Sequence, residues 1–199
     1  MDNSNSGQVV VVGAGGHASE VAAYLQADGW DVAAFIDLTP GDPIHGIRVT
    51  DNLDEWISMP LVHGIGDGQI RQRLQEQGGD WLTFEFGNFK GPRCKLGSGT
   101  VVCPGVVLTA DVTAGRGCLL NYNATVGHGT TLGDFATILP GANVSGGVTM
   151  GDLVTVGANA TILPDMSICS GVTIGAGTVV NRDITEPGTY VGVPAKRIK

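Results

Sequence analysis

Histidine is the side chain best suited to accept a proton near pH 7, and the chain has four: His17, His45, His63 and His128. His128 differs from the others in its neighbours, because Gly127 and Gly129 flank it and leave space for a ligand beside the ring. A histidine in such a position can take the proton that a nucleophile loses as it attacks. The alternative is a solvated surface histidine.

A second candidate site lies near the N-terminus, where the glycine turn Gly13–His17 follows a short apolar run. Gly13, Gly15 and Ala18 fit the pattern G-x-G-x-x-[GA], and Asp37 follows about twenty residues later. In this pattern the backbone N–H groups at the start of a helix attract an anion. The turn predicts a site for a dinucleotide or a single nucleotide diphosphate, and a tight turn without a ligand is the alternative.

The elements that carry His128 follow a strict six-residue repeat. Its first position is Leu96, Val102, Leu108, Ala114, Leu120, Val126, Leu132, Ile138, Val144, Met150, Val156, Ile162, Ile168, Ile174 and Val180. The fourth position is Gly, Asn or Asp except at Phe135 and Leu153, and these residue types tolerate a left-handed turn. Such a repeat predicts a β-solenoid of triangular coils, each made of three hexads and therefore 18 residues long.

The coil length brings two residues together. Gly146 comes 18 residues after His128, so it is expected to lie beside the histidine, one coil further along. Because glycine has no side chain, a ligand can approach the backbone there.

Residues 8–90 have a different pattern, in which strands alternate with helices. The predicted strands are Val9–Val12, Asp31–Ile36, Ile47–Val49, Leu61–Ile65 and Trp81–Phe84. The predicted helices are Ala18–Ala27, one that begins at Asp51, and one near Gln69–Gln77. Alternation of this kind favours a parallel sheet. We therefore predict an α/β Rossmann-like domain over residues 1–90 and an all-β parallel β-helix over residues 91–199.

The composition excludes several classes of protein. The formal charge is −8 and no basic run occurs, so no nucleic-acid-binding face is expected. The four cysteines lack a C-x-x-C spacing, which indicates small buried residues and no metal site. The N-terminus is polar and no apolar run reaches about 18 residues, so we expect no leader, no membrane span and a cytoplasmic location.

The hexads resemble the left-handed β-helix of the hexapeptide-repeat acyltransferases, [LIV]-[GAED]-x-x-[STAV]-x, over residues 96–185. The segment Tyr190–Lys196 is similar to the terminal G-x-P-A-[KR] signature of these enzymes. With a G-x-x-G-H opening at Gly13–His17 and these hexads, the chain resembles the bacterial nucleotide-linked amino-sugar N-acetyltransferases of the bacillosamine, perosamine and viosamine pathways. Relatives of that family include sialic acid O-acetyltransferases. This resemblance implies a left-handed coil and an acetyl-CoA-dependent acetyltransferase of surface-glycan biosynthesis. It also implies a homotrimer with acetyl-CoA bound between two β-helices.

The resemblance assigns roles to individual residues. His128 matches the catalytic base, and Gly146 matches a glycine whose N–H stabilises the thioester oxygen. The residues implied for the nucleotide sugar are Gly13, Gly15, Gly16, His17, Asp37 and Asn121. Those implied for acetyl-CoA are Gly146, Gly147, Ala158, Ala176, Arg182 and Lys196. Asn121 has a capped turn as its alternative, and terminal basic residues are usually only solvated.

Two positions depart from the family. Gly129 replaces the acidic residue that usually orients the catalytic histidine, and Thr137 replaces a second histidine that is often present. A sugar or sialic acid O-acetyltransferase and a non-catalytic nucleotide-sugar-binding scaffold therefore remain as alternatives, and the sugar and the base stay open. A γ-class carbonic anhydrase, which has the same β-helix, needs three histidines for zinc, and this β-helix has one.

Overall fold

A computed structural model describes residues 7–199, and these divide into two compact units at Leu82–Thr83. The boundary predicted after residue 90 lies further along the chain, because the first coil of the second unit does not follow the hexad register. Residues 1–6, on which much of the expectation of a polar, leaderless N-terminus rests, lie outside the described residues.

The first unit is a five-stranded sheet with helices. Its strands are β1 (Gln8–Val12), β2 (Asp31–Ile36), β3 (Val49–Thr50), β4 (Pro60–His63) and β5 (Asp80–Trp81). Its helices are α1 (Gly16–Ala27) and α2 (Gly68–Gln75). The strand order is β3-β2-β1-β4-β5 and every pairing is parallel, as predicted. The helix predicted from Asp51 is wrong, because only a 3₁₀ turn, Leu53–Glu55, forms there.

Close packing of α1 on the sheet explains why β1 and one face of α1 are apolar and why residue 64 is a glycine. Val9–Val12 are buried, and the buried face of α1 carries Ala18, Val21 and Leu25. A Cβ atom at Gly64 would lie 2.7 Å from Cβ of Ala18, so a glycine is needed where the helix crosses the end of β4. The strand order reverses between β1 and β4. In sheets of this type, ligands bind beyond the carboxyl ends of the strands near such a reversal.

The second unit is the predicted parallel β-helix, built from three parallel sheets and closed by an antiparallel end strand. Its strands are β6 (Phe84–Glu85), β7 (Phe89–Lys90), β8 (Lys95–Leu96), β9 (Val101–Val102), β10 (Val107–Leu108), β11 (Thr113–Ala114), β12 (Leu119–Leu120), β13 (Thr125–Val126), β14 (Thr131–Leu132), β15 (Thr137–Ile138), β16 (Asn143–Val144), β17 (Thr149–Met150), β18 (Thr155–Val156), β19 (Thr161–Ile162), β20 (Ser167–Ile168), β21 (Val172–Ile174), β22 (Val179–Val180), β23 (Gly188–Val191) and β24 (Lys196–Arg197). Val126 pairs with Leu108 on one side and Val144 on the other, which confirms the 18-residue coil.

The turn prediction is also confirmed. From Gly99 to Gly177 the fourth residue of every hexad has a positive φ. Phe135 and Leu153 follow the rule with φ of 57° and 59°, although their side chains disfavour that conformation. The coil geometry therefore overrides local preference at these two turns.

The ends of the β-helix depart from the repeat. Phe84–Glu85 pairs with Val101–Val102, so the first coil is one residue short of 18. Lys90 takes the position opposite Leu108, and its ammonium group pairs with the Glu85 carboxylate. The shifted register and the lysine hide the start of the β-helix from the hexad pattern. At the other end β23 pairs with β21, and β24 turns back antiparallel along β23.

Candidate functional site

The glycine turn connects β1 to α1 and leaves open space above the helix N-terminus. Gly13 has φ of 115°, and a Cβ atom there would lie 2.8 Å from Cγ1 of Ile65, so packing requires this glycine. Gly15 and Gly16 are exposed, and a Cβ atom at either would contact nothing within 4 Å. No side chain caps the helix, so its first N–H groups can attract an anion.

Asp37 holds the glycine turn against the end of β2. Its Oδ2 accepts a hydrogen bond of 3.0 Å from the Ala14 N–H, and its Oδ1 accepts one of 3.1 Å from the Thr39 N–H. Both oxygens therefore have a donor, and the carboxylate fixes the shape of the turn. This role was not anticipated from the sequence, which assigned Asp37 to the nucleotide sugar.

His17 follows the glycines and is largely buried. Neither ring nitrogen has a hydrogen bond, and the nearest acid is Glu20, whose Oε2 lies 3.5 Å from Nδ1. Burial is the main cause that lowers the pKa of His17, which favours a neutral ring. A buried ring with unpaired nitrogens beside an open helix N-terminus is consistent with a ligand-binding residue.

The two remaining histidines of this unit, His63 and His45, form contacts with other side chains of the protein. His63 is buried, stacks on Trp81 at 3.9 Å and hydrogen-bonds Gln75, and burial lowers its pKa to about 3. His45 is exposed in a tight turn, and its Nε2 forms a 2.8 Å hydrogen bond with Ser19 Oγ. None of these three contacts could be foreseen from the sequence, because each joins residues distant in the chain.

Arg71 is a buried charge that sequence analysis missed. It lies on α2 and donates hydrogen bonds of 3.0 and 2.7 Å to the carbonyl oxygens of Ile65 and Gly66. The guanidinium thereby fixes the loop that follows β4. The sequence carries no signal for this role, since an arginine within a polar helix is usually exposed.

In the β-helix, His128 and Gly146 are in contact, as the coil length predicts. A Cβ atom at Gly146 would lie 2.7 Å from both Cε1 and Nε2 of the exposed imidazole. Gly127 is equally constrained, because a Cβ atom there would lie 2.4 Å from the Gly146 nitrogen. The Gly147 N–H donates a 2.8 Å hydrogen bond to the His128 carbonyl, which keeps the two coils in register.

The third hexad position has a backbone N–H that the ladder between coils does not use. Several of these N–H groups donate a hydrogen bond to a polar side chain of the next coil. The Arg116 N–H donates to Asp134, the Asp134 N–H donates to Asp152, and the Asp152 N–H donates to Ser170. The N–H groups of Gly146, Ala158 and Ala176 occupy the same position and have no acceptor among residues 7–199. All three are among the residues that the family resemblance implies for acetyl-CoA.

No carboxylate within the described residues hydrogen-bonds His128. A Cβ atom at Gly129 would meet nothing within 4 Å, so the place of the family's acidic residue is open. Asp111 occupies the same turn one coil earlier, but it pairs with Arg93 through two bonds of 2.5 and 2.7 Å. That hydrogen bond is the main cause that lowers the pKa of Asp111, and His128 contributes less. Packing against Gly146 therefore positions the ring.

The other residues of the β-helix that the sequence analysis singled out differ in their burial. Asn121 is buried and its Oδ1 accepts a 2.8 Å hydrogen bond from the N–H of the next residue, Tyr122. Thr137 is buried in β15. Arg182 and Lys196 are exposed and form no ion pair within the part of the chain described.

Residues 7–199 hold no cluster of three or more His, Cys, Asp or Glu side chains suited to a metal ion. The four cysteines are free thiols; Cys103 and Cys118 are buried as predicted, whereas Cys94 and Cys169 are partly exposed. None of the described helices is long and apolar enough to span a membrane.

Comparison with known proteins finds matches for both units. The PglD N-terminal domain family matches residues 8–77, and the bacterial transferase hexapeptide family (six repeats) matches residues 129–164. The GDP-perosamine N-acetyltransferase of Escherichia coli O157:H7 is 28% identical over 153 residues, which are 68% of this chain and 69% of that protein.

Solved structures match nearly the whole chain. PerB from Caulobacter crescentus, in complex with CoA and GDP-perosamine, has a TM-score of 0.90 and 33% identity, covering 97% of this chain and 98% of that one. The acetyltransferase domain of PglB from Neisseria gonorrhoeae, in complex with acetyl coenzyme A, has a TM-score of 0.88 and 29% identity. It covers 98% of this chain and 100% of that one.

Proposed function

Because the chain belongs to the bacterial hexapeptide-repeat family of nucleotide-linked amino-sugar N-acetyltransferases, we propose that it transfers the acetyl group of acetyl-CoA to the amino group of a nucleotide-linked 4-amino-4,6-dideoxy sugar. The relatives include an enzyme described with CoA and GDP-perosamine and a domain described with acetyl-CoA. Acetyl-CoA is a co-substrate, and the proposed reaction involves no metal. Acetyl-CoA and nucleotide sugars are cytoplasmic metabolites, so we propose that the reaction takes place in the cytoplasm, for surface-glycan synthesis.

The chemistry follows from two groups one coil apart. The amine nitrogen attacks the thioester carbonyl carbon and forms the new C–N bond, and His128 accepts the proton that the amine loses. The oxygen of the tetrahedral intermediate becomes negative, and the Gly146 N–H donates to it. The intermediate then collapses by breaking the C–S bond, and the protonated histidine returns its proton to the CoA thiolate.

One observation carries this proposal: the exposed imidazole of His128 lies against Gly146, whose N–H has no acceptor among the described residues. A base and a hydrogen-bond donor at one point are what acyl transfer needs. The free N–H groups of Ala158 and Ala176 support a bound CoA chain, with Gly147, Arg182 and Lys196 as further contacts. Gly13, Gly15, Gly16, His17 and Asp37 support the nucleotide sugar in the first unit, and Asn121 is proposed near the sugar.

We further propose that the protein is a homotrimer. Between Leu96 and Thr185 the chain has only seven charged residues, so most of the β-helix surface is neutral. Phe89, Tyr122 and Leu163 are apolar or aromatic side chains of the β-helix that are exposed, with 61%, 41% and 38% of their surface accessible. Surfaces of this kind favour self-association. Light scattering at micromolar concentration should give three times the chain mass, and a monomer would contradict the proposal.

The activity is tested by following release of the free CoA thiol with a panel of nucleotide-linked amino sugars. The expected result is thiol release with an amino-sugar acceptor and a product heavier by one acetyl group on nitrogen. An ester product from the hydroxylated analogue would indicate an O-acetyltransferase instead. Tight nucleotide-sugar binding without thiol release from any acceptor would indicate a non-catalytic scaffold and contradict the proposal.

A further inference from the structure

The first unit contains a cavity of about 440 Å³ that the mechanism above leaves without an occupant. It lies at the carboxyl ends of β1 and β2, where Val12 and Ile36 form part of its wall. Ile65, Ile70 and Leu74 approach from the loop after β4 and from α2. Apolar walls of this kind suit a flat aromatic ring.

The cavity adjoins the glycine turn. Val12 lines the cavity and immediately precedes Gly13, and Asp37 lines the cavity while it holds the Ala14 N–H. A second cavity of about 340 Å³ shares Asp37 and contains Gly15 and Asp42, but it is wider open and more polar. A nucleotide whose diphosphate binds at the N-terminus of α1 can therefore extend its base into the apolar cavity.

Two carboxylates line the apolar cavity, and they differ in their partners. Both oxygens of Asp37 already accept backbone N–H groups. Asp51, at the end of β3, is exposed and has no hydrogen bond or ion pair with any residue of the range 7–199. Asp51 is thus the carboxylate in this cavity whose two oxygens are both available to a ligand.

On the basis of the function proposed above, we propose that this cavity holds the base of the nucleotide sugar and that Asp51 selects guanine. The hydrogen-bonding edge of guanine presents two adjacent donors, the ring N1–H and the exocyclic N2–H₂. A carboxylate accepts both through two parallel hydrogen bonds, as it does from an arginine. Asp51 is then a specificity-determining residue for the proposed class of substrate.

The other bases do not match a carboxylate. Uracil and thymine present one N–H between two carbonyl oxygens, and these oxygens repel the negative charge. Adenine and cytosine each present one amino group beside a ring nitrogen that is itself an acceptor. Each of these bases therefore makes at most one hydrogen bond with Asp51 and leaves an unfavourable contact.

The test is calorimetric titration of the full-length protein with GDP, UDP, dTDP and ADP. GDP should bind about 10- to 100-fold more tightly than the others, which is the usual discrimination of a two-bond base contact. Asp51→Asn should lose that preference. The variant should instead prefer xanthosine 5′-diphosphate, because xanthine replaces the N2 donor with an oxygen that the asparagine amide can donate to.

A gain for xanthosine diphosphate separates recognition from damage, since a misfolded variant gains no ligand. Asp54→Asn, an exposed acid that lines neither cavity, is the matched control and should keep the preference for GDP. Equal binding of UDP and GDP by the parent protein would overturn the inference. So would an Asp51→Asn variant that still prefers GDP, or a switch to xanthosine diphosphate in Asp42→Asn, which would put the base in the second cavity.

These outcomes are distinct from failure of the proposed function. Acetyl transfer to a uridine- or thymidine-linked amino sugar would support the acetyltransferase and overturn the role of Asp51. Guanine-specific binding that depends on Asp51, without thiol release from any acceptor, would support the role of Asp51 and contradict the acetyltransferase.

Discussion

The two units position their functional groups in different ways. In the β-helix, His128 and Gly146 meet because each coil has 18 residues, so a repeat that is visible in the sequence fixes the distance. In the first unit, the glycine turn depends on single contacts between distant residues, such as the bond of Asp37 to the Ala14 N–H. A periodic fold therefore encodes its site in residue spacing, whereas the α/β unit encodes its site in tertiary contacts that spacing does not reveal.

The largest expected effect comes from removing His128, the proposed base in the β-helix. His128→Ala should lower kcat by about 10²- to 10⁴-fold, because the imidazole that lies against Gly146 is the proposed acceptor of the proton. The side chain is exposed, so thermal stability and CoA affinity should hardly change. Steady-state kinetics from pH 6 to 9, with His128→Asn as the isosteric comparison, measure this. Near-full activity of the alanine variant would assign the base to the first unit, with His17 the next candidate.

Gly146→Ala tests whether spacing alone brings the two groups together. The new methyl would lie 2.7 Å from the imidazole, so the ring must move away while the backbone N–H remains. We expect kcat to fall by about 10²-fold, the lower end of what a positioned base contributes, because the displaced ring is no longer in place to accept the proton. Ser145→Ala is the neighbouring control. In the double variant with His128→Ala the loss should be far from additive, because both changes remove the same contact; full additivity would contradict the pairing.

The glycine turn of the first unit offers the corresponding test. Gly15→Leu introduces a side chain into open space, so the fold should tolerate it while an anion above α1 should not. Nucleotide-sugar affinity should fall by about tenfold or more, equivalent to about 1.4 kcal/mol, with CoA affinity unchanged. Titration calorimetry with both ligands measures this, and Gln26→Leu, at an exposed position of the same helix that lines neither cavity, is the control. Equal loss of both ligands would indicate misfolding, and no loss would remove the turn from the site.

The last test concerns the pH dependence of stability, and its effect close to neutral pH is small. The folded first unit keeps His63 neutral, since burial lowers its pKa from 6.5 to about 3, whereas the unfolded chain binds a proton below about pH 6.5. The unfolded state gains protons first as the pH falls, so stability present above pH 6.5 is lost between pH 6.5 and 3, by up to about 1.4 kcal/mol per pH unit. The β-helix contains no buried histidine among its described residues.

Urea unfolding followed by tryptophan fluorescence measures this loss selectively, because all three tryptophans lie in the first unit. His63→Phe keeps the stack on Trp81 but cannot titrate, so its unfolding free energy should change less between pH 7 and 5.5. Parallel pH dependence of the variant and the parent protein would exclude His63 as the cause.

Much of the β-helix could be predicted from the sequence, because local periodicity and global register are the same property there. The left-handed turns, the buried first positions and the contact of His128 with Gly146 all follow from it. The first coil could not be predicted, since Lys90 interrupts the apolar positions at the open end, where a charge can remain solvated. The end strand β24 has no counterpart in the hexads either.

Less of the first unit could be predicted. The glycine turn and the order of strands and helices were accessible from pattern, but the segment after Asp51 was not, because packing rather than periodicity decides that it forms a 3₁₀ turn. Arg71 and Asp51 carry no motif. The role of Arg71 and the role proposed for Asp51 depend on where the fold places them: Arg71 is buried against backbone carbonyl oxygens, and Asp51 lines an apolar cavity without a side-chain partner among residues 7–199.

The register that joins His128 to Gly146 also limits how the length of this chain can change. Adjacent coils are about 4.8 Å apart, and this spacing sets the distance between the two groups. One hexad inserted between them would turn Gly146 onto another side of the triangle, and one whole coil would keep the side but double the separation. Whole coils added beyond the site would leave the pair intact. Insertions and deletions in such a β-helix are therefore tolerated in discrete steps, and the single coil from His128 to Gly146 is the segment whose length cannot vary.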